Sequence, residues 1–312
     1  MSDVAVLRTF RADEFDAADL AGAKGGQTVS VCLPARDEAG TVGPIVSAIC
    51  TELVDRTGLV DEVLVVDDHS TDATAREAAD AGARVVRASE VLPEHGEGHG
   101  KGEALWKSLH ASRGDLVVWV DADIRRFDPG FVTGLLGPLL RHPDVAFVKG
   151  YYDRPLGDDG AGGGRVTELV ARPIVALLHP ELAPVVQPLA GEYGGRRELL
   201  EQLAFVEGYG VDLALLVDVA RISGIESMAQ VDLGVRHHRN RTLDELGPQA
   251  LAVLHAALRR ADPDLVPDAV DLVRPGMAPS HHELAERPPL RDLPAYRAVH
   301  PGAGSPRSTR SA

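Results

Sequence analysis

The run Leu116-Val117-Val118-Trp119-Val120 stops abruptly in Asp121-Ala122-Asp123, an apolar segment closed by two carboxylates one residue apart. Being apolar at successive positions, it reads as a strand buried on both faces, so layers must cover both sides of its sheet. Its charged end then emerges at the carboxyl edge, where open α/β sheets hold ligands. Two carboxylates at that spacing repel unless a cation lies between them, and hard oxygen ligands suit Mg²⁺ or Mn²⁺, ions that also grip diphosphates. An Asp at a strand end also caps helices and closes turns, so the neighbouring segments decide.

Two upstream segments repeat the design. Val29–Leu33 runs into Pro34-Ala35-Arg36-Asp37-Glu38, and Glu62–Val66 runs into Asp67-Asp68-His69-Ser70-Thr71-Asp72. Helical patterns follow over 41–53 and 72–81, the second with Asp72 as N-cap. A short strand over 83–87 and a helix over 102–112 complete an alternation that implies a parallel sheet with right-handed crossovers. Downstream we expect a strand over 227–233 and helices over 165–178, 194–203, 209–222 and 242–260, with Pro173 kinking or ending the first part of its helix. The last of these has apolar positions at helical spacing that suit either the core or a dimer face. The sequence divides into an N-terminal extension (1–28), halves at 29–150 and 151–262, a C-terminal segment (263–286) and a Pro-, Arg-, Ser- and Gly-rich tail (287–312) expected to be disordered.

Gly96-Glu97-Gly98-His99-Gly100-Lys101-Gly102-Glu103 invites a phosphate-loop reading and fails its strict forms. A Walker loop needs Gly and Ser or Thr where His95 and Gly102 stand, and the dinucleotide spacing needs a third glycine where Glu103 stands. What remains is a flexible loop with Lys101 at a helix start, where an ammonium and free N–H groups meet an anion. Asp158 to Leu169 forms a second glycine-rich loop that opens a helix, with Arg165 and Thr167 adding a fork donor and a hydroxyl, the chemistry of a phosphate or carboxylate pocket.

The net charge of −15 argues against nucleic acid and anionic membrane surfaces and makes the basic stretch Val235-Arg236-His237-His238-Arg239-Asn240-Arg241 conspicuous. Such a stretch supplies cations for anionic substrates and an imidazole for a metal that Asp123 alone does not saturate. No run reaches the length of a membrane span and the N-terminus lacks a signal-peptide layout, so the expected location is the cytoplasm. The two cysteines, Cys32 and Cys50, read as ordinary thiols.

The loops after the first, second and fourth strands together resemble the nucleotide-binding half of a GT-A glycosyltransferase, an α/β fold with a mostly parallel Rossmann-like sheet. A closer resemblance, from about Ala5 to Arg260, is to the glucosyl-3-phosphoglycerate synthases of actinobacteria. It is carried by Leu33-Pro34-Ala35, Val65 to Asp72, Gly100 to Trp106, Asp121-Ala122-Asp123, Gly164 to Glu168, Gln187 to Tyr193, Gly208 to Asp212 and Arg236 to Asn240. The resemblance implies transfer of glucose from UDP-glucose to the 2-hydroxyl of 3-phosphoglycerate with retention, a step toward glucosylglycerate and methylglucose polysaccharide. It implies that Pro34, Ala35, Glu38 and Ser70 hold the uridine part, with Lys101, Asp121 and Ala122 also at the donor. Asp123 and His238 would ligate Mg²⁺ or Mn²⁺, while Leu189, Gly210 and Asp212 line the glucose site. Gly164, Arg165, Thr167 and Asn240 would bind phosphoglycerate. Lys101, Asp123 and Asp212 are the expected catalytic set, and a homodimer is the expected assembly. Arg36 and Asp37 stand where the family pattern has Leu and Asn, and Asp212 where it has Glu, which bears on base and sugar choice.

Other classes give different signatures. A polyprenyl-phosphate transferase should show a membrane anchor or a basic amphipathic helix. A binding module without catalysis has no use for both Asp123 and His238. A different small acid in place of phosphoglycerate also suits Arg165.

Overall fold

The computed structural model describes residues 7–153, 164–236, 242–283 and 285–301. Its centre is an eight-stranded sheet. In chain order the strands are β1 (Arg8–Arg11), β2 (Val29–Ala35), β3 (Glu62–Asp67), β4 (Arg84–Arg87), β5 (Leu116–Trp119), β6 (Phe147–Asp153), β7 (Tyr193–Arg196), and, after a short β8 (Phe205–Val206) outside the sheet, β9 (Met228–Val235). Their spatial order is β1-β9-β6-β7-β5-β2-β3-β4. All neighbours are parallel except β7, which runs antiparallel to both β5 and β6.

The apolar strands sort their side chains by alternation. On β5, Val117 and Trp119 join one core cluster with Trp106, Tyr193 and Phe205, while Leu116 and Val118 join the other with Leu33, Ile45 and Leu135. Helix α1 (Ala17–Ala23) is capped by the Asp16 carboxylate. Helix α2 (Val42–Ile49) buries Val42, Ile45, Val46 and Ile49, the i, i+3, i+4, i+7 stripe that presses a helix on a sheet. Helices α3 (Thr74–Asp80), α4 (Lys101–Ala111) and α5 (Gly130–Arg141) complete the crossovers. The second half adds α6 (Arg172–Leu178), α7 (Arg197–Leu200), α8 (Val211–Ser223) and α9 (Leu243–Ala261), and α9 opens on a capping box between Thr242 and Glu245. Ahead of α6 the backbone makes a π turn over Thr167–Ala171, consistent with Pro173, which has no N–H to give. Asp72 is not the N-cap of α3, which starts two residues later than expected with Ala73 in that place, although its Oδ1 accepts the Thr74 N–H at 2.9 Å.

Three expectations are corrected. The helix over 194–203 is instead β7 followed by the single turn of α7, because Gly194 and Gly195 let a strand squeeze between β5 and β6. A Cβ on Gly194 would lie 2.9 Å from the Val117 carbonyl oxygen, and one on Gly195 2.9 Å from that of Ala146. The tail is ordered as far as 301. Strand β12 (Glu286–Arg287) pairs with β8, Trp106 Nε1 donates to the Pro288 carbonyl at 2.8 Å, and Leu290 and Tyr296 are fully buried, Tyr296 in α10 (Pro294–Val299). The proposed division at 150/151 falls within β6, and β1 from the N-terminal extension pairs with β9, so one sheet runs through all of these segments. A hairpin of β10 (Ala269–Leu272) and β11 (Ser280–Glu283) lies outside the main sheet.

Candidate active site

The carboxyl ends of β2, β3, β5 and β9 open on the same edge and deliver Pro34 to Arg36, Asp68, Asp121 to Asp123, and Arg236. Because β7 is reversed, the residues before it reach that edge, which brings Leu189, Gly191 and Glu192 in from below. The start of α4 adds Lys101, and the turn before α6 adds Gly164, Arg165 and Thr167. All of these except Glu192 line a cavity of about 480 Å³, which is completed by Tyr209, Asp212 and the α9 residues Leu246, Gln249 and Val253. Gly191 is required here, since a Cβ would fall 2.0 Å from Asp121 Oδ2.

Charge organises the floor. Lys101 Nζ lies 2.9 Å from Asp121 Oδ1 and 3.3 Å from Asp212 Oδ1. The Arg236 guanidinium reaches Asp123 Oδ1 at 2.5 Å, Asp121 Oδ2 at 3.1 Å and the fully buried Glu192 at 3.1 Å, and donates to the Tyr152 hydroxyl at 2.5 Å. Burial opposes each charge, but for Lys101 the carboxylates of Asp121, Asp212 and Glu192 prevail and hold the ammonium above the ordinary lysine range. For Asp121 burial is likewise outweighed, by Lys101 and Arg236, and the carboxyl sits well below its usual range. Glu38 is different: burial, then Asp123, with Asp72 and Asp121 adding to them, pushes it up against the hydrogen bond from Thr41. The pocket therefore carries negative charge beyond what its own cations neutralise. Asp123, whose side chain keeps 42% of its exposure, stands where a hard divalent cation would meet oxygen ligands, so the donor set fits Mg²⁺ or Mn²⁺.

Most of the residues expected from sequence meet here. Pro34, Ala35, Glu38, Lys101, Asp121, Ala122, Asp123, Gly164, Arg165, Thr167, Leu189 and Asp212 all line the cavity. Two do not. Ser70 braces the β2 loop, its hydroxyl accepting the Asp37 N–H at 3.0 Å, and Gly210 is packed against α9, where a Cβ would lie 2.8 Å from the Ala252 carbonyl oxygen. His238 and Asn240 lie outside the described residues. Of the unexpected residues, Arg36 lines the cavity, whereas Asp37 faces back and accepts the Thr71 N–H at 2.7 Å. Arg236 and Glu192 were visible in the quoted stretches without an assigned role.

Lys149, in the middle of β6, gave no signal. Its ammonium is fully buried 4.1 Å from the centre of the Tyr193 ring and has no hydrogen-bond partner among the described residues. Burial pushes it down to about 8, against the pull of Asp212 and with the help of Lys101. Between pH 8 and the ordinary lysine value of 10.5 the unfolded chain then binds more protons than the folded one, so this group's destabilising effect is full below pH 8 and fades as pH rises through that window. Lys149→Met is expected to stabilise the protein at pH 7 by about 3 kcal/mol and to lose that advantage near pH 10.5. Denaturant titrations at both pH values check it, and equal stability differences would contradict it.

A parallel sheet with acidic strand ends, a lysine at a helix start and a glycine-flanked Arg/Thr pocket in one cleft defines a nucleotide-sugar glycosyltransferase. The model of "Glycosyl transferase family 2" matches residues 30–186. The chain is 48% identical over 304 residues to the glucosyl-3-phosphoglycerate synthase of Mycolicibacterium paratuberculosis, covering 92% of this chain and 91% of that one. Its structure superposes with a TM-score of 0.84 and 44% identity on the glucosyl-3-phosphoglycerate synthase of Mycobacterium tuberculosis in complex with Mn²⁺, UDP-glucose and phosphoglyceric acid, covering 92% and 99% of the two chains. It also superposes with a TM-score of 0.83 and 41% identity on mannosyl-3-phosphoglycerate synthase from Rubrobacter xylanophilus, covering 92% and 97%. The chain belongs to glycosyl transferase family 2 and, within it, to the glucosyl-3-phosphoglycerate synthases.

Proposed function

We propose that the chain transfers the glucosyl group of UDP-glucose to the 2-hydroxyl of 3-phosphoglycerate with retention of anomeric configuration. The observation that carries this reading is that one cavity joins the β2, β3 and β5 loops and Lys101 to the Gly164–Thr167 turn, so donor and acid-binding elements face each other. Pro34, Ala35 and Glu38 hold the nucleoside end, and Leu189 and Asp212 hold the sugar. Asp123 and His238 would hold Mg²⁺ or Mn²⁺, which when bound supplies Lewis acidity toward the departing diphosphate. Lys101, fixed as a cation between Asp121 and Asp212, stabilises the same developing charge. Arg165, Thr167 and Asn240 orient the acceptor so that its hydroxyl approaches on the leaving-group face. No carboxylate is assigned as a covalent nucleophile, and the departing diphosphate takes the acceptor proton.

Arg165→Ala is expected to lower acceptor kcat/KM roughly ten- to a hundredfold through loss of a charge-assisted fork, with donor KM little changed. Unchanged acceptor kinetics would make the glycine turn a bystander. Arg36 and Asp212 on the lining, and the mannosyl relative, favour a second reading in which the donor differs. A panel of UDP-glucose, GDP-glucose and GDP-mannose against phosphoglycerate and glycerate, with and without Mg²⁺, separates the two. We expect UDP-glucose and phosphoglycerate to be preferred, and Asp212→Glu to change the rate or donor preference. A silent Asp212→Glu together with a silent Asp212→Ala would remove Asp212 from the sugar site. The same reading takes the protein as a cytoplasmic homodimer in the route to methylglucose polysaccharide, and light scattering measures the dimer. Among the described residues no helix is long and apolar enough to cross a membrane.

A further inference from the structure

Beside the carboxylate–arginine floor stands a second group of metal-ligating side chains. One ligand atom each of Asp68, His69 and His99 lies within 4.8 Å of the other two. Asp68 follows β3 and is buried. Its Oδ2 accepts the Gly100 N–H at 2.9 Å and its Oδ1 lies 3.0 Å from His69 Nδ1. His69 sits at φ 60°, in the left-handed region that costs a non-glycine residue on the order of 1 kcal/mol or more. That conformation sets its ring against the His99 ring, with centroids 4.5 Å apart and planes at 52°. Its Nδ1 is the ring nitrogen that faces the Asp68 carboxylate, while Nε2 is buried and has no hydrogen-bond partner among the described residues.

We propose that Asp68, His69 and His99 form a second metal site, for a borderline divalent transition cation such as Zn²⁺ or Co²⁺. Two imidazoles and one carboxylate with room for water make a nitrogen-rich set that suits such ions, whereas Mg²⁺ prefers oxygen throughout. Bonds of about 2.1 Å in a tetrahedral ion space its ligand atoms about 3.4 Å apart. Closing the remaining gap, on the order of 1 Å, falls to His99, which is exposed and flanked by Gly98 and Gly100. In this site His69 would ligate through Nδ1, which already lies 3.0 Å from Asp68 Oδ1, so that the ion takes the place of the hydrogen bond between them. Because His99 precedes Lys101 by two residues and Asp68 also holds the Gly100 N–H, a bound ion ties the glycine loop to the end of β3.

The test is Zn²⁺ binding by calorimetry to the full chain in excess Mg²⁺, which occupies oxygen-rich sites, with wild type compared to His99→Ala and His69→Gly. His69→Gly keeps the fold, because glycine accepts the left-handed backbone, and its melting temperature without added metal verifies this. We expect one tight Zn²⁺ per chain in the wild type, weakened at least tenfold in either variant, and a rise in wild-type melting temperature with Zn²⁺ that both variants lose. Co²⁺ gives an independent spectroscopic reading: visible absorption of a low-symmetry nitrogen-ligated ion in the wild type, lost in His99→Ala. Binding of equal strength in all three proteins, or no stoichiometric Zn²⁺ binding by the wild type, would overturn the proposal.

Discussion

Asp123→Ala is expected to abolish transfer, by about a thousandfold or more, while the protein stays folded. Loss of a Lewis-acid ligand removes at least about 4 kcal/mol of stabilisation from the departing diphosphate, and each 1.4 kcal/mol is a factor of ten. The fold survives because Asp123 is partly exposed and Arg236, which it meets, still has Asp121, Glu192 and Tyr152. EDTA should reproduce the loss in the wild type, and Mn²⁺ or Mg²⁺ should restore it there but not in the variant. Full activity of Asp123→Ala, or of the chelated wild type, would remove the metal from this account.

Arg236→Met has the opposite balance, a large effect on stability as well as on transfer. It takes the guanidinium away from the fully buried Glu192 and strips one of two cations from Asp121, the situation in which breaking a buried ion pair costs about 3 to 5 kcal/mol. The melting temperature should fall by roughly 5–8 °C for a chain of this size. With the guanidinium gone from Asp123, a divalent cation meets less competition, so Mn²⁺ should raise the variant's melting temperature more than the wild type's. An unchanged melting temperature would show that Glu192 is neutral in the fold and that the network is not held by Arg236.

The catalytic edge was legible where function leaves local marks. Apolar runs closed by Asp67-Asp68 and by Asp121-Ala122-Asp123 announce buried parallel strands with chemistry at their ends, and both lie where such strands place them. What escaped depends on partners far apart in the chain. Arg236 meets Asp121 and Asp123 across 115 and 113 residues, so its basic stretch was noticed but its role was not. Lys149 is one cation inside Phe147–Asp153, and only the finished sheet puts it beneath Tyr193. The segment 194–203 reads as a helix because the crowding that demands Gly194 and Gly195, at the carbonyls of Val117 and Ala146, is set by the two neighbouring strands. The tail misled by composition. Its Pro and Arg content reads as disorder, yet Arg287 reaches Glu103 Oε2 at 2.5 Å and Tyr296 donates to Glu201 at 3.0 Å, contacts that fasten residues 286–301 to α4 and α7.

The central claim is tested most directly by proton NMR of the product formed from UDP-glucose and 3-phosphoglycerate with Mg²⁺. The account predicts a new α-anomeric signal from glucose linked to the 2-oxygen of phosphoglycerate, appearing in step with UDP and absent with EDTA. A β-anomeric signal, free glucose alone, or faster transfer to an acceptor other than phosphoglycerate would contradict it.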